Sequence, residues 1–175
     1  MDMFAIVIPD TKPATEYVDG TLVQKVSPKR RHALLQKRLM FAFTAWPQSP
    51  GEALPEWRFN FVAPGERFGS LVPDVAILSD AVVAQLGDER AEEPPIAPEI
   101  AIEILSADER PGVVAWKTEQ YLLGGTRLVI NVDAVRCNVS IHTIDGVAVF
   151  ERDDLLEHEQ LPGLRLPLVE LFAGL

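Results

Sequence analysis

The six residues Ile100-Ala101-Ile102-Glu103-Ile104-Leu105 constrain the fold more than any other part of the chain. They are strand-length, and they offer apolar side chains to both faces of a sheet. Such a strand lies inside a sheet covered on both sides, which points to α/β layering. Strand periodicity sets Ala101, Glu103 and Leu105 on one face and Ile100, Ile102 and Ile104 on the other. A second apolar run, Leu71-Val-Pro-Asp-Val-Ala-Ile-Leu78, repeats the pattern with Asp74 as its one charged residue.

A carboxylate in such a strand is expensive to desolvate unless something compensates it. Protonation, a salt bridge or a bound cation would each do so. Lys117 offers one compensating charge from the helix expected over Pro111–Leu123, with Tyr121 four residues further along the same face. Two readings stand side by side: a buried Asp/Glu/Lys ion-pair cluster without catalysis, and a cation-binding functional centre.

The remaining elements are read from periodicity and turn chemistry. Residues 16–26 form a hairpin around Asp19-Gly20. Ser27 is expected as an N-cap, with Pro28 opening a helix over about 29–46 whose apolar face includes Leu35, Leu39 and Trp46. Strands are expected over 57–62, 71–78 and 99–106, with a charged, proline-rich loop over 87–98. The helix Pro111–Leu123 ends at Gly124-Gly125. Strands at 128–132, 139–143 and 147–150 follow, and 167–172 makes a short helical turn. The order predicts a mixed central sheet flanked by helices, with residues 111–123 as the crossover between two parallel strands.

A chain of 175 residues suits one domain spanning 1–175 with its own core. No apolar run approaches the roughly 18 residues that would cross a bilayer. The start, Met1-Asp2-Met3-Phe4, lacks a basic n-region. The single cysteine, Cys137, is placed in a strand and cannot form an internal disulfide. A soluble cytoplasmic protein is expected. The net charge of −10 argues against indiscriminate phosphate binding. Even so, Lys25, Lys29, Arg30, Arg31, Lys37 and Arg38 supply six of the sixteen basic residues within fourteen positions. That run is either a solvated helix face or a local phosphate-contacting patch.

Glu16-Tyr-Val-Asp-Gly20, His32, Pro73-Asp74-Val-Ala76, Ile102-Glu103-Ile-Leu-Ser106, Lys117, Tyr121 and Leu161-Pro-Gly-Leu-Arg-Leu-Pro167 occur in this order across the chain. From about Glu16 to Phe172 the set resembles the Uma2 family of restriction-endonuclease-like proteins, also known as DUF820. The resemblance implies an α/β restriction-endonuclease fold with a PD-(D/E)xK core, two acidic metal ligands and a lysine. Asp74 matches the aspartate and Glu103 the second acid. The lysine position two residues after the acid holds Leu105 here, and the family pattern makes Lys117 its replacement. Glu16 matches an early additional acid. His32 matches a recurring histidine, with a helix-surface or capping role as the alternative.

The resemblance further implies Mg²⁺ (or Mn²⁺) on Asp74 and Glu103, DNA as substrate, phosphodiester hydrolysis and a homodimer. The apolar residues Trp46, Trp57 and Phe59 are either part of that dimer surface or core. The alternative function is a catalytically silent nuclease-fold protein acting as a nucleic-acid- or protein-binding homodimer.

Overall fold

The strand Ile100–Leu105 lies in the interior of a six-stranded mixed sheet, as its two-faced apolar pattern requires. The structure is a computed structural model describing residues 6–175. In chain order the elements are β1 (Thr15–Val18), β2 (Thr21–Gln24), α1 (Arg30–Thr44), β3 (Ala53–Pro55), β4 (Val75–Ile77), α2 (Asp80–Leu86), α3 (Asp88–Glu92), β5 (Ile100–Leu105), α4 (Pro111–Leu123), β6 (Leu128–Asp133), β7 (Asn138–Thr143), β8 (Gly146–Phe150), β9 (Leu155–Leu156), β10 (Leu166–Pro167) and α5 (Leu168–Leu171). The main sheet runs β3-β4-β5-β6-β7-β8. Only β5 and β6 are parallel, joined by α4 as the crossover. β1 and β2 form a separate hairpin, and β9 and β10 a second small ribbon.

Alternation along the strands divides the core. Val75, Ile77, Ile100, Ile102, Ile104, Leu128, Ile130 and Val132 face Leu35, Leu39 and Phe43 of α1 and Leu168, Leu171 and Phe172 near the C-terminus. Those three α1 residues recur every fourth position, which is why one stripe of that helix is buried. The other face carries Ala76, Ala101 and Val129 against Tyr121 of α4, Phe59, Phe61 and Leu71. Glu103 belongs by period to this second face, so it points toward α4. α4 ends where Gly125 takes φ +104°, with Thr126 N–H donating to Tyr121 O at 2.9 Å.

Several sequence expectations are corrected. α1 starts at Arg30 with Lys29 as its N-cap, so Ser27 is no cap and Pro28 lies before the helix. Proline disfavours helical backbone in the residue before it, which helps keep Ser27 out of the helix. Residues 57–62 form no strand; Phe59 and Leu71 make one isolated bridge. The backbone there is engaged elsewhere, Asn60 N–H donating to Pro94 O at 2.8 Å. The strand expected over 71–78 shortens to β4, because Pro73 has no N–H to give a ladder. Within 87–98, α3 occupies a charged stretch whose acidic Asp88 and Glu89 suit a helix start. β3 and α2 were not anticipated.

Cys137 lies in the β6–β7 turn at φ +56°, not in a strand. Trp46 and Phe59 are buried, and half-buried Trp57 donates its Nε1–H to Ala91 O and Glu92 O, both at 3.0 Å. These aromatics therefore give no ground for a dimer surface. Among the described residues no helix is long and apolar enough to cross a membrane.

Candidate active site

Four elements, β1, α1, β5 and α4, together with the segments just after β2 and just before β4, bring charged side chains to one cavity of about 640 Å³. The register of β4 and β5 pairs Val75 with Ile102, and one step further sets Asp74 opposite Glu103. The ladder ends there, and Asp74 uses its side chain instead. Its Oδ2 accepts the Ile104 N–H at 2.7 Å. The strand edge that would have left a backbone donor unpaired is thereby closed by a carboxylate.

Glu103 meets α4. Lys117 Nζ lies 2.7 Å from Glu103 Oε1, and Tyr121 donates its hydroxyl to the same oxygen at 2.9 Å. Glu16 reaches the cluster from β1, with its Oε1 and Oε2 at 3.1 and 3.2 Å from Lys117 Nζ. Glu16 Oε1 also accepts the Val72 N–H at 2.7 Å, which ties the N-terminal hairpin to the segment carrying Asp74. Glu16, Asp74, Glu103, Lys117 and Tyr121 are all buried.

The structure thus gathers Glu16, Asp74, Glu103 and Lys117, the four residues expected to carry the chemistry, brings His32 to them, and adds Lys25. His32 Nε2, from α1, is 3.1 Å from Asp74 Oδ2, so this histidine serves the site rather than the helix surface. Lys25, just beyond β2, places Nζ 2.7 Å from Asp74 Oδ1. In the sequence Lys25 is one member of the basic run 25–38. Nothing local distinguishes it there, because its partner lies 49 positions away.

The rest of that run has other roles. Lys29 pairs with Asp108 at 2.7 Å. Arg38 Nη1 donates to Leu171 O and Ala173 O at 2.7 and 2.8 Å, a structural tie to the C-terminus. Lys37 lies over the Phe41 ring. Exposed Arg30 and Arg31 line the cavity, together with Arg110 at the start of α4.

The charges shape one another. Burial pushes the Asp74 carboxyl up, but Lys25 and then His32 outweigh it and hold Asp74 well below the usual carboxylate range. Burial pushes Glu103 up to about 7; Lys117 pulls against this, while Asp74 and Glu16 add to it. Burial favours a neutral Lys117, yet Glu103 and Glu16 override it and keep the ammonium protonated far above neutrality. Lys25 is likewise held above its ordinary value, Asp74 overcoming desolvation. Desolvation lowers His32, but its hydrogen bond to Asp74 and that carboxylate's charge raise it on balance.

The cavity offers hard carboxylate oxygens, the donor type that Mg²⁺ and Mn²⁺ prefer. Glu103 Oε2 accepts no hydrogen bond among the described residues, which leaves one such oxygen open. Asp74 and Glu103 fit the cation in chemistry, but Asp74 Oδ1 is held by the Lys25 ammonium. Among the described residues no group of three or more His, Cys, Asp or Glu side chains is arranged as a metal site. The expectation that two strand carboxylates face a single lysine is corrected: Lys117 and Lys25 supply one ammonium each.

A mixed sheet with helices on both faces and a carboxylate–lysine centre at its middle strands defines an α/β protein of the restriction-endonuclease-like class. The family profile described as "Uma2: Putative restriction endonuclease" matches residues 2–169, and the chain belongs to the Uma2 family. Its fold is similar to the crystal structure of "a putative nuclease belonging to DUF820" from Anabaena variabilis ATCC 29413. The TM-score is 0.80 at 28% identity, covering 95% of this chain and 93% of that one. Among curated proteins, none matches.

Proposed function

We propose that the protein is a Mg²⁺- or Mn²⁺-dependent endonuclease that hydrolyses phosphodiester bonds in DNA in the cytoplasm. The observation that carries this reading is the convergence of Glu16, Asp74, Glu103 and Lys117 on one cavity rimmed by Arg30, Arg31 and Arg110. These three arginines make no salt bridge among the described residues, so their charge is available to phosphates. On a chain of net charge −10 they place basic charge at the mouth of this cavity, where a phosphate backbone would pass.

Asp74 and Glu103 would hold the cation, which when bound supplies Lewis-acid polarisation of the phosphate and an acidified water. Lys117 stays protonated, so it cannot serve as the base; it stabilises charge developing on the phosphorus oxygens. Glu16 holds Lys117 in place, and Tyr121 fixes Glu103 Oε1. Plasmid cleavage with Mg²⁺ or Mn²⁺, lost in Asp74→Ala and Glu103→Ala, tests the reading.

One observation favours a second reading, a nuclease-fold protein that binds nucleic acid without cutting it. Lys25 and Lys117 already compensate two of the buried carboxylates from within the chain. DNA binding with no cleavage at any divalent concentration would support it. A homodimer belongs to either reading. Its candidate surface is β8, one of the two edge strands of the main sheet, where Val147 and Val149 are exposed.

A further inference from the structure

We propose that Lys25 is a tethered cation occupying the divalent ion's place on Asp74, so that metal loads this centre only as Lys25 leaves it. The inference rests on the metal-dependent reading above and concerns how that same centre is filled.

The geometry around Lys25 is that of a bound cation. Its Nζ lies 2.7 Å from Asp74 Oδ1, 2.9 Å from Val72 O and 3.2 Å from Glu56 Oε2. Two carboxylate oxygens and a carbonyl are hard donors of the kind a Mg²⁺ or Mn²⁺ site would use. Asp74 has little else to offer, since Oδ2 already takes the Ile104 N–H and His32. An ammonium at hydrogen-bond distance and a divalent ion on the same oxygen would sit as close like charges, with water largely excluded between them. They must therefore alternate.

The two lysines of the site differ in how they are held. Lys117 projects from the middle of α4, and its side chain is only 5% exposed between Glu16 and Glu103. Lys25 lies past the end of a hairpin strand whose four residues are all exposed, and its own side chain is 15% exposed. It also lines the 640 Å³ cavity, so it can swing away from Asp74 without disturbing the core. Glu56, the partner it would leave behind, is 45% exposed and can be rehydrated. Lys117 is thus a fixed part of the centre and Lys25 a displaceable one.

Calorimetric titration with MnCl₂ tests this on the full chain. Lys25→Met removes the ammonium and keeps the aliphatic stem, and its Mn²⁺ affinity is expected to exceed that of the unsubstituted protein at least tenfold. Lys25→Arg keeps a cation against Asp74 and should bind as weakly as the unsubstituted protein. Adding Asp74→Asn to Lys25→Met should erase the gain, which locates the binding. If Lys25→Met fails to fold, Lys25→Gln keeps a hydrogen-bond donor toward Asp74 without charge and carries the same expectation. Equal, measurable affinity with and without the lysine overturns the competition and leaves the metal-dependent nuclease reading intact. No Mn²⁺ uptake by any variant overturns both.

Discussion

Lys117 and Tyr121 stand one turn apart on α4 and meet the same atom, Glu103 Oε1, at 2.7 and 2.9 Å. The first brings a charge and the second a neutral donor, so removing them should have separable effects. Lys117→Met should lower the single-turnover cleavage rate by roughly 10²–10³-fold, the usual loss when one preorganised charge-stabilising donor is removed. Mn²⁺ binding followed in parallel should change far less. A variant that loses metal and rate together would place Lys117 in binding rather than in the transition state.

Tyr121→Phe should leave the Lys117–Glu103 pair in place and cost about 1 kcal/mol in urea denaturation, the worth of one hydrogen bond with little change of shape. A loss several times larger would show that the hydroxyl also organises Lys117.

Glu103 should titrate visibly. Its folded value, pushed up to about 7 from an ordinary 4.5, means that the native state holds this proton more tightly than the unfolded chain. The sign follows from linkage: this group's contribution favours folding below 4.5 and is lost as pH rises through about 7. Carboxyl chemical shifts in metal-free protein should show the midpoint directly. Lys117→Met should move it higher, since Lys117 pulls it down. A midpoint below 5 would mean that the pocket is wetter than its burial implies.

Asp74 sits among Lys25, His32 and the Ile104 N–H, so its removal strands several donors. Asp74→Ala should destabilise the metal-free fold by about 3–5 kcal/mol, as for other buried pairs that lose one partner. Asp74→Asn should cost less, because it keeps an acceptor for Ile104. Thermal denaturation of both variants compares them, and equal losses would show that the charge, not the hydrogen bond, matters.

Each arginine of the cavity rim should contribute to the salt dependence of DNA binding. Arg30→Ala, Arg31→Ala and Arg110→Ala should each weaken binding and reduce the log–log salt slope by about 1 if the side chain touches a phosphate. Fluorescence anisotropy across a salt series measures this, and an unchanged slope in all three would move the DNA path elsewhere.

Much of the site was legible in the sequence, because a carboxylate inside an apolar strand is a local anomaly. Asp74 and Glu103 stand out against their neighbours, and the helix with Lys117 and Tyr121 is marked by Pro111 at its start and Gly124-Gly125 at its end. β5, α4 and the late strands β6 to β8 were read nearly to the residue for the same reason. Elements whose backbone partners are remote were not. The 57–62 segment looks like a strand until its hydrogen bonds are spent on distant loops, and β3 has too few residues to show a period.

The tertiary structure alone decided that Glu16 pairs with Lys117 and that Lys25 pairs with Asp74. Glu16 and Lys117 are 101 positions apart, and Lys25 and Asp74 are 49 apart. Periodicity assigns a side chain to a face, but it carries no information about which distant charge will lie opposite. That pairing depends on how the hairpin docks against β4 and α4. It turned an expected two-carboxylate, one-lysine centre into one with a second lysine on Asp74.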